Sequence, residues 1–90
     1  MATAFVRHRA RDYDAWRKVY DEFADFQAAG GVIDKAVYRA QENPNELLVM
    51  HRFATLSQAQ DFLASAELEN AMREAGVEGV PQIDLYDEAE

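Results

Sequence analysis

The chain has 90 residues, 49% of them apolar, with five Phe, four Tyr and one Trp, which excludes a disordered tail. Seventeen acidic against nine basic side chains give a net charge of −8, which excludes nucleic acid or an anionic membrane as partner, although five of the nine Lys and Arg fall between positions 7 and 18. Cysteine is absent, and with it disulfides, thiolate chemistry and cysteine-based metal sites.

The opening MATAFVRHRA lacks the apolar core of a signal peptide, and no stretch reaches transmembrane length, so a cytoplasmic protein is the expectation. No linker, repeat or low-complexity segment divides the chain, so residues 1–90 are expected to form one domain. AFVRHRA (4–10) has strand character. Asp12 stands at an N-cap position and Asp14 adds a carboxylate to the first helical turn. Trp16, Val19, Tyr20, Phe23 and Phe26 follow at helical spacing as a one-sided stripe that ends at Gly30-Gly31. VIDKAVYRA (32–40) and ELLVMHRFA (46–54) read as two strands joined by the turn Glu42-Asn43-Pro44-Asn45. Thr55 and Gln58 make a capping box for a second helix with Ala59, Phe62, Leu63 and Ala66 inward, and Ser65 caps a further turn or two, up to Gly76. A loop to Pro81 leads to a last strand, QIDLYD (82–87), and a frayed acidic end.

The order β-α-β-β-α-β, with right-handed crossovers, specifies an α+β, ferredoxin-like fold: a four-stranded antiparallel sheet with both helices on one face. Strand parity then sorts the side chains. Ala4, Val6 and His8, and Leu47, Val49, His51 and Phe53, are expected under the helices. In the second strand Val32, Ala36 and Tyr38 are assigned to that side, against Ile33, Lys35, Val37 and Arg39. The other face keeps Phe5, Val37, Leu48 and Met50, more apolar surface than water tolerates, so a homodimer packed sheet to sheet is expected. Arg7, Arg9, Arg39, Arg52 and Lys35 would pair with acids across that interface.

The element order, together with VRHRARDYDAWRKVYDE, NPNELLVMHRF and AMREAGVEGVPQIDLYD, resembles the dimeric α/β-barrel superfamily, and within it small cyclases and relatives of the antibiotic-biosynthesis monooxygenases. The resemblance spans nearly the whole chain and marks a fold more firmly than a reaction. It implies a cavity between helices and sheet in each subunit. Polyketide cyclases of this fold use a His and a Tyr there as acid–base groups, and the resemblance does not carry those two positions onto residues of this chain. The haem-degrading pattern of Asn and His before a late Trp is missing, since Trp16 is the sole tryptophan.

Candidate chemistry rests on His8 and His51, whose imidazoles titrate near neutrality and can deprotonate an activated carbon acid or phenol. The alternative is that each is packed against apolar surface and bonded to backbone or carboxylate. Tyr38 is the candidate phenol to orient a carbonyl, with Tyr20 second, and Trp16, Tyr20, Phe23, Val49 and Phe53 are the candidate binding walls. Two His lack metal-ligand spacing, so neither metal nor cofactor is expected. The functional expectation is a homodimer binding a hydrophobic, aromatic or polyketide-like molecule as a cofactor-independent cyclase or isomerase working through an enolate. Cofactor-free oxygenation of a hydroxylated aromatic and non-catalytic ligand binding are the rivals.

Overall fold

The computed structural model describes residues 1–89. Its elements run β1 (Ala2–Ala10), α1 (Tyr13–Glu22), α2 (Ala24–Ala29), β2 (Val32–Arg39), β3 (Glu46–Phe53), α3 (Leu56–Leu63), α4 (Ala66–Glu74) and β4 (Val77–Asp87). The sheet order is β2-β3-β1-β4, antiparallel throughout, as the ferredoxin-like expectation requires. Among the described residues no helix is long and apolar enough to cross a membrane.

The local signals work as the sequence implies. The Asp12 carboxylate accepts from the Ala15 N–H at 3.0 Å and starts α1, and Asn45 in the β2–β3 turn accepts from the Tyr13 N–H at 3.0 Å. The turn therefore anchors the same helix it faces. Thr55 caps α3 through the Gln58 N–H at 3.2 Å, and Ser65 caps α4 through the Leu68 N–H at 3.2 Å. The expected first helix is interrupted at Phe23, whose N–H is shared between the Val19 and Tyr20 carbonyls. The break lets Phe23 and Phe26 stack at 4.7 Å and lean on Phe62 of α3. Gly31, at φ 101°, makes the turn into β2, a backbone state that suits glycine.

Two cores result. Val6, Ala10, Trp16, Tyr20, Leu47 and Val49 form one around α1, and Ala2, Ala4, Phe53, Ala59 and Phe62 form the other around α3. Three sequence expectations are corrected. The segment before Pro81 is strand, because β4 already pairs with β1 at Val77 and Glu78. Register then jumps from Arg9↔Glu78 to Arg7↔Gln82, so Gly79, Val80 and Pro81 bulge out opposite the single residue His8. Proline is tolerated there because an edge-strand bulge asks for no ladder N–H.

The second correction concerns β2. A register shift between Val32 and Asp34 inserts Ile33 as a bulge, which reverses the parity of everything after it. Lys35, Val37 and Arg39 come opposite His51, Val49 and Leu47, while Ala36 and Tyr38 come opposite Met50 and Leu48. Val37 is thereby packed against the α1 core, and Tyr38 stands 55% exposed on the open face. The third concerns the acidic end. Glu88 is tied down, its N–H donating to the Met1 carbonyl at 2.8 Å and its carboxylate accepting from Arg52 at 2.7 Å; Glu90 lies outside the described residues.

Candidate functional site

Every inward position of β1 and β3 but two is apolar, and those two are His8 and His51. Ladder register sets His51 opposite Ala4, and His8 opposite Leu47. Four residues of strand thus separate the imidazole-bearing positions, roughly 13 Å at the usual rise. Helix α1 spans the gap. Trp16 and Tyr20, one turn apart, stack at 4.8 Å with a 16° interplanar angle. His8 lies 5.6 Å from the Trp16 ring and His51 5.9 Å from the Tyr20 ring, so four rings line one wall in sequence.

These rings border a cavity of about 60 Å³ closed by Phe23, Gln27, Phe62 and, from α4 and its flanks, Leu68, Met72 and Ala75. That volume holds about two waters and falls well short of the several hundred Å³ of a drug-sized site. The α4 wall is the slack one. No residue within α4 is buried, and Met72 is an unbranched, adaptable side chain.

The two histidines are only 6% and 7% exposed, yet their chemistry differs. His51 Nε2 lies 2.8 Å from the Tyr20 hydroxyl, so each satisfies the other. His8 has no partner on Nδ1 or Nε2, although both atoms are shut off from solvent. Burial lowers both imidazoles to about 4; nearby Glu46 partly opposes this at His8, and Lys35 adds to it at His51. Burial likewise pushes the Tyr20 phenol up to about 12, and it stays protonated. At neutral pH the cavity therefore holds two uncharged imidazoles and a phenol. An unpaired, buried neutral imidazole offers one acceptor and one N–H to whatever enters.

Of the expected site residues, His8, His51, Trp16, Tyr20, Phe23 and Val49 come together around this cavity. Phe53 does not, being fully buried in the α3 core, and Tyr38 is on the opposite face of the sheet for the reason given by the β2 bulge. Two residues were missed. Gln27 is 3% exposed and lines the cavity, and Lys35 donates from Nζ to Gln27 Oε1 at 2.7 Å while lying 5.3 Å from the Tyr20 ring centre. A signal for Gln27 existed, since it continues the Tyr20–Phe23 stripe by one more turn. Lys35 became visible only with the bulge. Arg39 likewise lies over the Tyr13 ring at 3.8 Å, not on the open face, and Arg9 and Arg52 pair within the chain with Glu46 and Glu88.

No family model and no curated protein matches this chain. Solved structures do. SnoaB, a cofactor-independent oxygenase from Streptomyces nogalater, superposes with a TM-score of 0.79 at 13% identity over 99% of this chain and 93% of its own. A protein from Bordetella bronchiseptica, provisionally described as an antibiotic biosynthesis monooxygenase, gives 0.80 at 13% over 99% and 97%. A conserved protein from Methanosarcina mazei Go1 gives 0.77 at 15% over 99% and 94%. At such identities the likeness establishes the fold, and at that level the sequence resemblance is borne out.

Proposed function

We propose that this protein binds a hydroxylated aromatic or polyketide-like molecule in the cavity under α1 and removes a proton from it with His8, without a cofactor. The observation that carries this is the His8 side chain, buried with both ring nitrogens unpaired beside an aromatic wall. Leaving such groups unpaired costs roughly 1–3 kcal/mol, a cost that a ligand hydroxyl or carbonyl would relieve. His51 is the weaker base candidate because its Nε2 is already engaged by Tyr20, which it holds in place.

An imidazole lowered to about 4 is a poor base for a phenol in the empty cavity. A developing enolate or phenolate beside it changes that balance, because opposite charges in an apolar cavity stabilise one another strongly. The carbanion form of the substrate then has two fates. Oxygen can add to it, the likeness to a cofactor-independent oxygenase favouring this course, with a ring hydroperoxide losing water to leave the quinone. Cyclisation or isomerisation through the same enolate is the second course and needs no oxygen. Entry requires α4 to move away from α1, since the resting cavity is too small for such a molecule.

Dimerisation belongs to the same proposal. Phe5, Leu48 and Met50 are half-covered on the open sheet face, flanked by exposed Tyr38 and by Tyr86, which meets Phe5 edge-on at 5.8 Å. A second copy laid sheet to sheet would bury this patch. A sedimentation mass near 10.2 kDa at micromolar concentration would refute the dimer. The reaction is tested by oxygen uptake with a dihydroxynaphthalene and by anaerobic turnover of an open-chain aryl polyketone: uptake that needs His8 supports oxygenation, and anaerobic turnover selects ring closure or isomerisation. If His8→Leu retains full turnover, His8 is not the base.

A further inference from the structure

The Gln27–Lys35 pair stands outside the acid–base assignment and is built with some care. Gln27 is the one buried amide side chain of the described residues and reaches the cavity from α2, just beyond the aromatic stripe of α1. An ammonium group only donates, so the 2.7 Å contact from Lys35 Nζ settles which end of the amide faces it: Oε1. The Nε2 donor is thereby turned from Lys35, and no protein acceptor among the described residues takes it. Lys35 in turn meets no carboxylate among them. Asp34 accepts from its backbone N–H, not from Nζ. Its uncompensated charge lies over the Tyr20 ring and reaches the interior, since it helps hold His51 uncharged.

A polarised amide donor beside an unpaired cation at the rim of an apolar cavity is an arrangement for negative charge on oxygen. We propose that Gln27, oriented by Lys35, binds an anionic oxygen at the end of the ligand remote from His8, with Gln27 as the contacting donor and Lys35 as the positioning residue. The ligand class follows: an apolar ring or chain bearing an ionisable enol or phenol. This rests on the cavity being the ligand site. A net charge of −8 disfavours any anion unless local groups attract it, and the Lys35 ammonium is such a group.

The test uses 4-nitrophenol and its neutral near-isostere 4-nitrotoluene, with binding followed by calorimetry and by quenching of Trp16, the sole tryptophan and a cavity wall. Wild type should bind the phenolate about tenfold more tightly than the neutral probe, about 1.4 kcal/mol of preference for the charged oxygen. Gln27→Leu and Lys35→Met should each remove most of that preference while still binding 4-nitrotoluene, and Lys35→Arg should restore it. Lys35 is an exposed position, so its variants test the idea even if Gln27→Leu folds poorly. Equal affinity for the two probes in wild type, or a preference that survives Lys35→Met and Gln27→Leu, overturns the inference and leaves the cavity reading standing. Failure of both probes to bind overturns both.

Discussion

The two ends of the cavity carry the same residue in opposite circumstances. At the α3 end, His51 is held by Tyr20 at 2.8 Å, edged by Phe62, and paired across the sheet with Lys35, which bonds Gln27. At the other end, His8 faces the Trp16 ring and lies opposite the bulge of the edge strand, and neither nitrogen is bonded. Burial lowers both imidazoles alike, to about 4. Shared burial with unequal hydrogen bonding teaches that the depressed basicity says little about role. The partner marks the difference: the His51 nitrogen is already engaged by Tyr20, and both His8 nitrogens are left free to bond a ligand.

The sharpest break between the two ends is His8→Leu. Turnover should fall by about 100-fold or more, the usual contribution of a general base. Stability should rise by about 1–2 kcal/mol in urea unfolding, because an apolar side chain of similar size removes two unpaired buried groups. A variant that is both less stable and fully active would place His8 in the core and nowhere else. His51→Leu should keep turnover within about tenfold of wild type, and a reversal of the two results exchanges the roles.

Next in size is the response to acid, which both ends share. Each imidazole has its folded value depressed below the model-peptide 6.5, so the unfolded chain binds more protons between the two values. Stability therefore falls as pH drops from about 6.5 to about 4, by up to about 3 kcal/mol per histidine, with the loss complete below that range. Urea midpoints across pH should show this slope, and His8→Leu should roughly halve it. An unchanged slope would mean that His8 is not desolvated in solution.

Smaller again are the effects confined to the α3 end. Tyr20→Phe leaves the His51 nitrogen without its partner and should cost about 1–3 kcal/mol. His51→Leu should cost less than a cavity-forming change, since its shape is roughly conserved. The double variant should be less destabilised than the sum of the single changes by about 1 kcal/mol, measured as a double-mutant cycle. Strict additivity would remove the Tyr20–His51 bond from the account.

Much of the molecule was legible in one dimension. The caps at Asp12, Thr55 and Ser65 and the turn at Asn43–Asn45 are local devices that formed where expected, and the stripe from Trp16 to Phe26 is helical apart from the break at Phe23. β1 and β3, the central strands, are paired without a break in register, so their alternation placed both histidines correctly. The failures lie on the edge strands. A single inserted residue at Ile33 moved Tyr38 to the open face and brought Lys35 against Gln27 and Tyr20, and the three-residue bulge at Gly79–Pro81 extended a strand that proline had hidden. Neither bulge has a periodic signature, since each exists only as a mismatch between two strands.

Sequence by itself determined the elements, their order, the burial of the two histidines and the aromatic wall that covers them, because periodicity and capping act within a few residues of chain. Tertiary structure alone decided which imidazole was bonded and which was left free. It also decided that Gln27 faces Lys35, and that the resting cavity is only about 60 Å³. Those are relations between side chains distant along the chain. They depend on register across strands and on how closely helices approach the sheet, quantities that no local pattern encodes.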